Sequence, residues 1–234
     1  ARVGFRARAA RWYISRMSHA PRKPAGARDG SRPVADARRP TSPFRVPAAA
    51  VLAVLVLLTV VIQRHTLHAF FALDDLVMFQ QAAGIRAWPV TLWRWLSGGL
   101  WFRMVVPMWG HEPLPYHAAS LAVHVVNVVL LHRLARRWGA SPVAAFVGAA
   151  LFGISRLHFP ALLAATSIGE LLALTFTLLA LLIAAAGRTR FAVAAFVFAL
   201  SAKESVLLVP FAAALVGAAG DSARARLRSL APLL

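Results

Sequence analysis

The sequence predicts an all-α polytopic membrane protein of about six transmembrane helices, with a long first outer loop that contains an interfacial helix. Three observations carry that reading. The 234 residues are 59% hydrophobic, and their mean hydropathy of +0.66 is too apolar for a soluble domain. The apolar residues come in blocks, and the basic residues collect in alternate connections between those blocks.

The blocks are Val46 to Ile62, Leu114 to Leu131, Pro142 to Ile154, Ala161 to Ala186, and Phe191 to Ala219. Lys203-Glu204 cuts the last into two short helices, which makes six spans. The third block and the two halves of the last fall short of the roughly 20 residues that cross a bilayer. Twelve basic residues precede the first block; Arg133, Arg136 and Arg137 follow the second, Arg188 and Arg190 the fourth, and Arg224, Arg226 and Arg228 the last. The other connections are poorer in Lys and Arg. The N-terminus is therefore expected in the cytoplasm, with the loop 64–114 outside and the chain in the plasma (inner) membrane.

Residues 1–46 read as a basic, disordered cytoplasmic tail. Twelve Lys and Arg against Asp29 and Asp36 give the first 48 residues +10 of the +18 total. Pro, Gly, Arg and Ser dominate from Pro21 to Pro43, leaving little to form a core. Such charge suits nucleic acid, a transit peptide or anionic lipid; the composition favours the disordered cytoplasmic tail, and the expected partner of the chain is the lipid bilayer with no nucleic acid. The first methionine is Met17, so residues 1–16 are expected to be upstream translation. The lipid-embedded region is 47–220, and 221–234 reads as a cytoplasmic loop leading into a seventh span.

Turn chemistry supports the connections. "RRWGASP" ends one helix at Gly139 and starts the next with Ser141 as cap and Pro142 at the first helical position, and Gly187 stops the fourth span. In the outer loop, "AWPVTLWRWLSGGLWFRM" mixes tryptophans with Arg94 and Arg103. It reads either as a helix lying in the outer interface or as an ordinary aromatic belt.

With no cysteine, thiolate chemistry and disulfides are excluded. "HEPLPYH" is no zinc helix, because Pro113 and Pro115 keep His111 and His117 from sharing a regular helix face. The absence of a phosphate-cradling glycine loop leaves a soluble nucleotide-driven reaction unsupported. Asp74 and Asp75 stand together about a dozen residues beyond the first span. Such a pair suits proton abstraction or cation binding, and the bland alternative is a helix N-cap. Glu170 and Glu204 interrupt apolar runs, where an ionised group is costly and faces a cavity, a partner or a substrate path. Lys203 and Glu204 are expected to neutralise one another in part, while Glu170 has no partner that the sequence identifies. His124 and Asn127 share a helix face and suit interhelical hydrogen bonding.

Four stretches, "FFALDDLVMFQQA", "PLPYHAASLAVHVVNVVLLH", "LFGISRLHFPALLAATSIGELLALTF" and "ALSAKESVLLVP", follow one another in an order that resembles the membrane-embedded glycosyltransferases of the GT-C fold. The likeness is to the protein O-mannosyltransferase-like group and its relatives with C-terminal tetratricopeptide repeats, and it covers about Pro47 to Ala219, the front portion of such a protein. His117, His124, Asn127, His132, His158 and Glu170 fall in register with the family's pattern. Ser155-Arg156 replaces the usual His-Pro, Pro160 stands where relatives carry Glu, and the loop lacks their Arg-Pro-Leu. The resemblance implies a polyprenyl-phosphate sugar donor in the outer leaflet, a protein or glycan acceptor, and inversion at the anomeric carbon. An outer-loop carboxylate acts as general base in that scheme: Asp75, slightly preferred, or Asp74, with a divalent cation at the same pair as a candidate cofactor. Arg94, Arg103, Arg156 and Lys203 are the candidates for the donor phosphate, and His117, His158, Glu170 and Glu204 complete the expected substrate site. The rival readings are a truncated, non-catalytic membrane protein and, with no inverted repeat in view, a transporter.

Overall fold

The computed structural model describes residues 47–71, 73–87 and 93–209. All regular structure among them is helical. Three helical segments are long and apolar enough to cross a membrane: Ala48–His68, Pro113–Arg137 and Ala165–Ala185, of 21, 25 and 21 residues. The first comprises α1 (Ala48–Gln63) and a 3-10 turn (Arg64–His68), the second is α4 (Pro113–Arg137), and the third adds a 3-10 turn (Ala165–Ser167) to α7 (Ile168–Ala185). A fourth span exists if α5 (Pro142–Ile154) and the segment Arg156–Leu163, bent by 44°, are taken as one. That segment is a 3-10 turn followed by α6 (Phe159–Leu163). The described residues thus hold three to four spans where the sequence predicts six. The difference lies at the last block: α8 (Thr189–Ala202) is an apolar helix of 14 residues, and residues beyond 209, with the predicted sixth span, lie outside the described residues. The 1–46 tail and the 221–234 segment also lie outside them.

The chain's turn residues act as the sequence predicts. Gly139 and Gly187 adopt φ +89 and +76, values that favour glycine at helix ends. Ser141 Oγ accepts from Ala144 N at 3.1 Å, and Pro142 follows as the first helical residue. The described part of the loop 64–114 is structured rather than extended: α2 (Leu73–Ala82), a π-helical stretch (Trp95–Trp101) and α3 (Phe102–Trp109) fold against the spans. Phe102 and Val105 are buried in one apolar cluster with Tyr116, Leu162 and Ile168. The tryptophan-rich segment is therefore fixed to the bundle on this face, which neither the interfacial helix nor the aromatic belt had required.

The bend in the fourth candidate span dictates much of the packing. Where α5 stops at the extended Ser155 (φ −64, ψ 133), helical carbonyls lose their partners, and in an apolar surround each such group costs several kcal/mol. Side chains of other spans replace them. Gly153 O accepts from Gln63 Nε2 at 3.0 Å and from His124 Nε2 at 3.1 Å. Leu162 O accepts from His117 Nδ1 at 3.1 Å; separately from the break, Asn127 Nδ2 donates to Leu171 O within α7 at 3.0 Å. His117, His124 and Asn127 are wholly buried on one face of α4, the interhelical role expected for His124 and Asn127.

This close approach needs a glycine at 153. A Cβ there would lie 2.5 Å from Thr59 Oγ1 and 3.0 Å from Val128 Cγ2. Gly153→Ala should lower stability by about 1–3 kcal/mol through overpacking, read as thermal unfolding of the solubilised chain. Thr59→Ala in the same chain should restore part of that loss, and an unchanged single variant would contradict the packing described.

Candidate functional site

The site forms where the ends of the spans meet the helices of the loop 64–114. Six contacts fix these segments at one end of the bundle. Asp75 in the first turn of α2 accepts from the backbone N–H groups of Ala165 and Thr166, at 3.2 and 2.7 Å. Ser97 Oγ in the π-helical stretch donates to Ala202 O at 2.7 Å. Arg94 meets Glu204 through Nη2 and Nε at 2.7 and 3.2 Å, and Lys203 Nζ meets Glu170 Oε1 at 2.5 Å. Gly169 permits the closure, since a Cβ there would lie 2.8 Å from Ser97 Oγ and 3.1 Å from Ala202 O.

Between these segments lies a cavity of about 390 Å³. Asp74 and Gln81 from α2, Arg94, Ser97 and Gly98 from the π-helical stretch, Thr166, Ser167 and Glu170 from the start of α7, and Lys203 line it, with Val77 and Met78 as the apolar part of the wall. Four of the residues singled out in the sequence, Asp74, Arg94, Glu170 and Lys203, are thus brought together from segments up to 129 positions apart, the separation of Asp74 and Lys203.

The two aspartates divide their roles. Asp75 is 1% exposed, does not line the cavity, and caps the first N–H groups of the turn leading into α7. Asp74 is exposed and faces the cavity. Of the two carboxylates the sequence offered, Asp75 positions a turn and Asp74 is the accessible one. The capping alternative was right in kind, but Asp75 caps a distant segment and α2 itself begins one residue earlier, at Leu73.

The charged pairs also differ from the expectation. Lys203 and Glu204 form no direct ion pair, though Lys203 contributes a minor Coulombic lowering of the Glu204 pKa; Lys203 takes Glu170, which supplies the partner missing from the sequence, and Glu204 takes Arg94. Lys203 has extended backbone (φ −160, ψ 139), which ends α8 and sends the neighbouring side chains to different partners. The bidentate guanidinium of Arg94 holds the Glu204 carboxyl well below its ordinary range, at about 2, and the Arg94 pKa is raised in return. Arg94 has φ +64, a left-handed backbone that costs a non-glycine residue of order 1 kcal/mol. Asp74, Glu170, Arg94 and Lys203 sum to zero formal charge, so an anion entering the cavity must displace one carboxylate partner. The Arg94-Glu204 pair is half-exposed, at 56% and 47%, and such a pair contributes only about 0–1 kcal/mol, while Lys203, at 25%, is more enclosed. Exchange of a carboxylate for a phosphate at Arg94 is therefore cheap.

The remaining predicted residues lie elsewhere. His117 is in the core on Leu162 O, and the His158 ring packs at a tilt against Phe152 and His124, with ring centroids 4.2 and 5.2 Å apart. Arg103 on α3 and Arg156 in the turn after α5 are exposed and do not line the cavity. No group of three His, Asp or Glu with metal-binding geometry occurs among the described residues, and Asp75 is committed to backbone N–H groups, so Asp74 is the accessible oxygen ligand of the predicted pair. Gln81, Ser97, Thr166 and Ser167 were missed; the only trace in the sequence is "ATSIGE", a polar break ahead of an apolar run.

The chain matches no protein-family model, no curated protein and no solved structure.

Because the folded-state pKa of Glu204 lies below its ordinary value, its pair with Arg94 stabilises the fold above about pH 4.5 and loses that contribution as pH falls toward about 2. The stability difference between the wild type and Glu204→Gln, at most about 1 kcal/mol for an exposed pair, should be constant from pH 8 to about 4.5 and vanish toward pH 2. Denaturation midpoints across that range check it.

Proposed function

We propose that this chain is a membrane-embedded glycosyltransferase that moves a sugar from a polyprenyl-phosphate donor to an acceptor hydroxyl, on a protein or glycan, with inversion. The observation that carries the reading is the single cavity at the end of the spans that joins an exposed carboxylate, Asp74, to two cations, Arg94 and Lys203. Alcohol attack on a lipid-linked sugar needs these two elements, a base on one side and positive charge on the other.

In the proposed step Asp74 takes the proton of the acceptor hydroxyl as its oxygen forms a bond to the anomeric carbon. The bond from that carbon to the donor's phosphate oxygen breaks, and the electron pair leaves with the phosphate. Arg94 and Lys203 compensate that charge after exchanging Glu204 and Glu170 for phosphate oxygens. Asp75 acts indirectly, by fixing the turn that carries Thr166, Ser167 and Glu170. The position of the cavity suits a donor whose lipid stays in the bilayer while its headgroup reaches the bundle end. Among the described residues the opposite end carries Arg133, Arg136, Arg137, Arg188 and Arg190 with no carboxylate, and that bias supports the reading that the cavity faces outside, in the plasma membrane. Any divalent cation would use Asp74 as its protein oxygen ligand and would supply further charge to the phosphate.

Asp74→Asn should lower transfer from a radiolabelled polyprenyl-phosphate sugar by a factor of roughly 100 or more in membranes containing the full chain, with membrane levels and thermal stability unchanged. Transfer at the wild-type rate would overturn the assignment, and so would its absence in wild-type membranes supplied with donors and acceptors of each class.

A further inference from the structure

At the opposite end of the bundle, α1, α4 and α5 enclose a groove of about 430 Å³. Val51, Val143 and Phe146 form its apolar wall, while His132 and Arg136 line it from the last turns of α4. Val143 is 71% exposed and Arg136 is exposed, so the groove opens on the outer surface of the helices.

Among the described residues the charge at this end is of one sign. Arg133, Arg136 and Arg137 end α4, and Arg188 and Arg190 sit beside them, linked through Arg137 Nη2 to Ala185 O at 2.9 Å. The described carboxylates, Asp74, Asp75, Glu112, Glu170 and Glu204, all belong to the other end. Arg136 is steadied by one bond, from Nη1 to Ala140 O at 2.5 Å, which leaves most of its donors for a ligand. His132 has a buried Nδ1 without a hydrogen-bond partner. The first turn of α1, at Ala48 on the groove's rim, has no side-chain cap for its N–H groups.

We propose that this groove binds one anionic phospholipid from the adjoining leaflet, its phosphate held by Arg136 and His132 and an acyl chain laid against Val51, Val143 and Phe146. A free phosphate would use the cations but not the apolar wall. A zwitterionic lipid would use the wall but bring a second cation into a field that is already positive. The lipid satisfies both halves of the groove.

Native mass spectrometry of the full chain in neutral detergent, titrated with phosphatidylglycerol or phosphatidylcholine of the same acyl composition, tests this. One phosphatidylglycerol should be retained in preference to phosphatidylcholine. Arg136→Gln should weaken it roughly fivefold, Val143→Trp should exclude it by filling the wall, and Arg188→Gln should leave it unchanged. Equal retention of the two lipids, equal losses in Arg136→Gln and Arg188→Gln, wild-type binding in Val143→Trp, or displacement by inorganic phosphate at the lipid's own concentration would each overturn the proposal.

Discussion

The structure depends on how a broken helical span satisfies its backbone inside an apolar surround. α5 stops at Ser155, a short bent segment follows, and α7 begins only after a second extended residue, Ala164. Each interruption frees carbonyls on one side and N–H groups on the other. Gln63, His117 and His124 donate to the freed carbonyls, and Asp75 accepts from the freed N–H groups of Ala165 and Thr166. The donors come from α1 and α4, and the acceptor from α2, so the two interruptions tie three separate parts of the chain together. Irregular backbone at membrane depth is tolerated where protein buries it in this way.

The cavity follows from that arrangement. Asp75 can reach the turn before α7 only if α2 lies across the bundle end, and that placement brings the adjacent Asp74 over the start of α7. Gly169 then lets the π-helical stretch descend onto Ala202, which delivers Arg94 to Glu204 and leaves Lys203 with Glu170. The same distribution of charge separates the two ends of the molecule. Carboxylates and paired cations gather where the proposed transfer takes place, and unpaired arginine charge gathers at the end where the proposed lipid groove lies.

The helical class, the hairpin at Gly139 and the stop at Gly187 were legible in the sequence because apolar block length, glycine and proline act locally. The polar face of α4 was legible too, since His124 and Asn127 three residues apart can only share a side. The partners were not. Glu170 and Lys203 are 33 positions apart, and Arg94 and Glu204 are 110; such pairs depend on tertiary approach, so the adjacent Lys203 and Glu204 looked like each other's partners. Asp74 and Asp75 were equivalent in the sequence because only packing distinguishes an exposed side chain from one 1% exposed. The cut at Lys203-Glu204 was legible as well, since α8 ends at Ala202, while the predicted sixth span lies outside the described residues.

The most direct measurement is hydrogen exchange at the Ala165 and Thr166 amides in the full chain, compared between wild type and Asp75→Ala, with amides in the middle of α7 as the internal reference. Loss of the buried acceptor should speed exchange at both amides by at least about tenfold, the equivalent of roughly 1.4 kcal/mol, while the α7 reference amides stay unchanged. Equal protection of Ala165 and Thr166 in both proteins would contradict the central claim that Asp75 satisfies the break and thereby sets the position of the cavity.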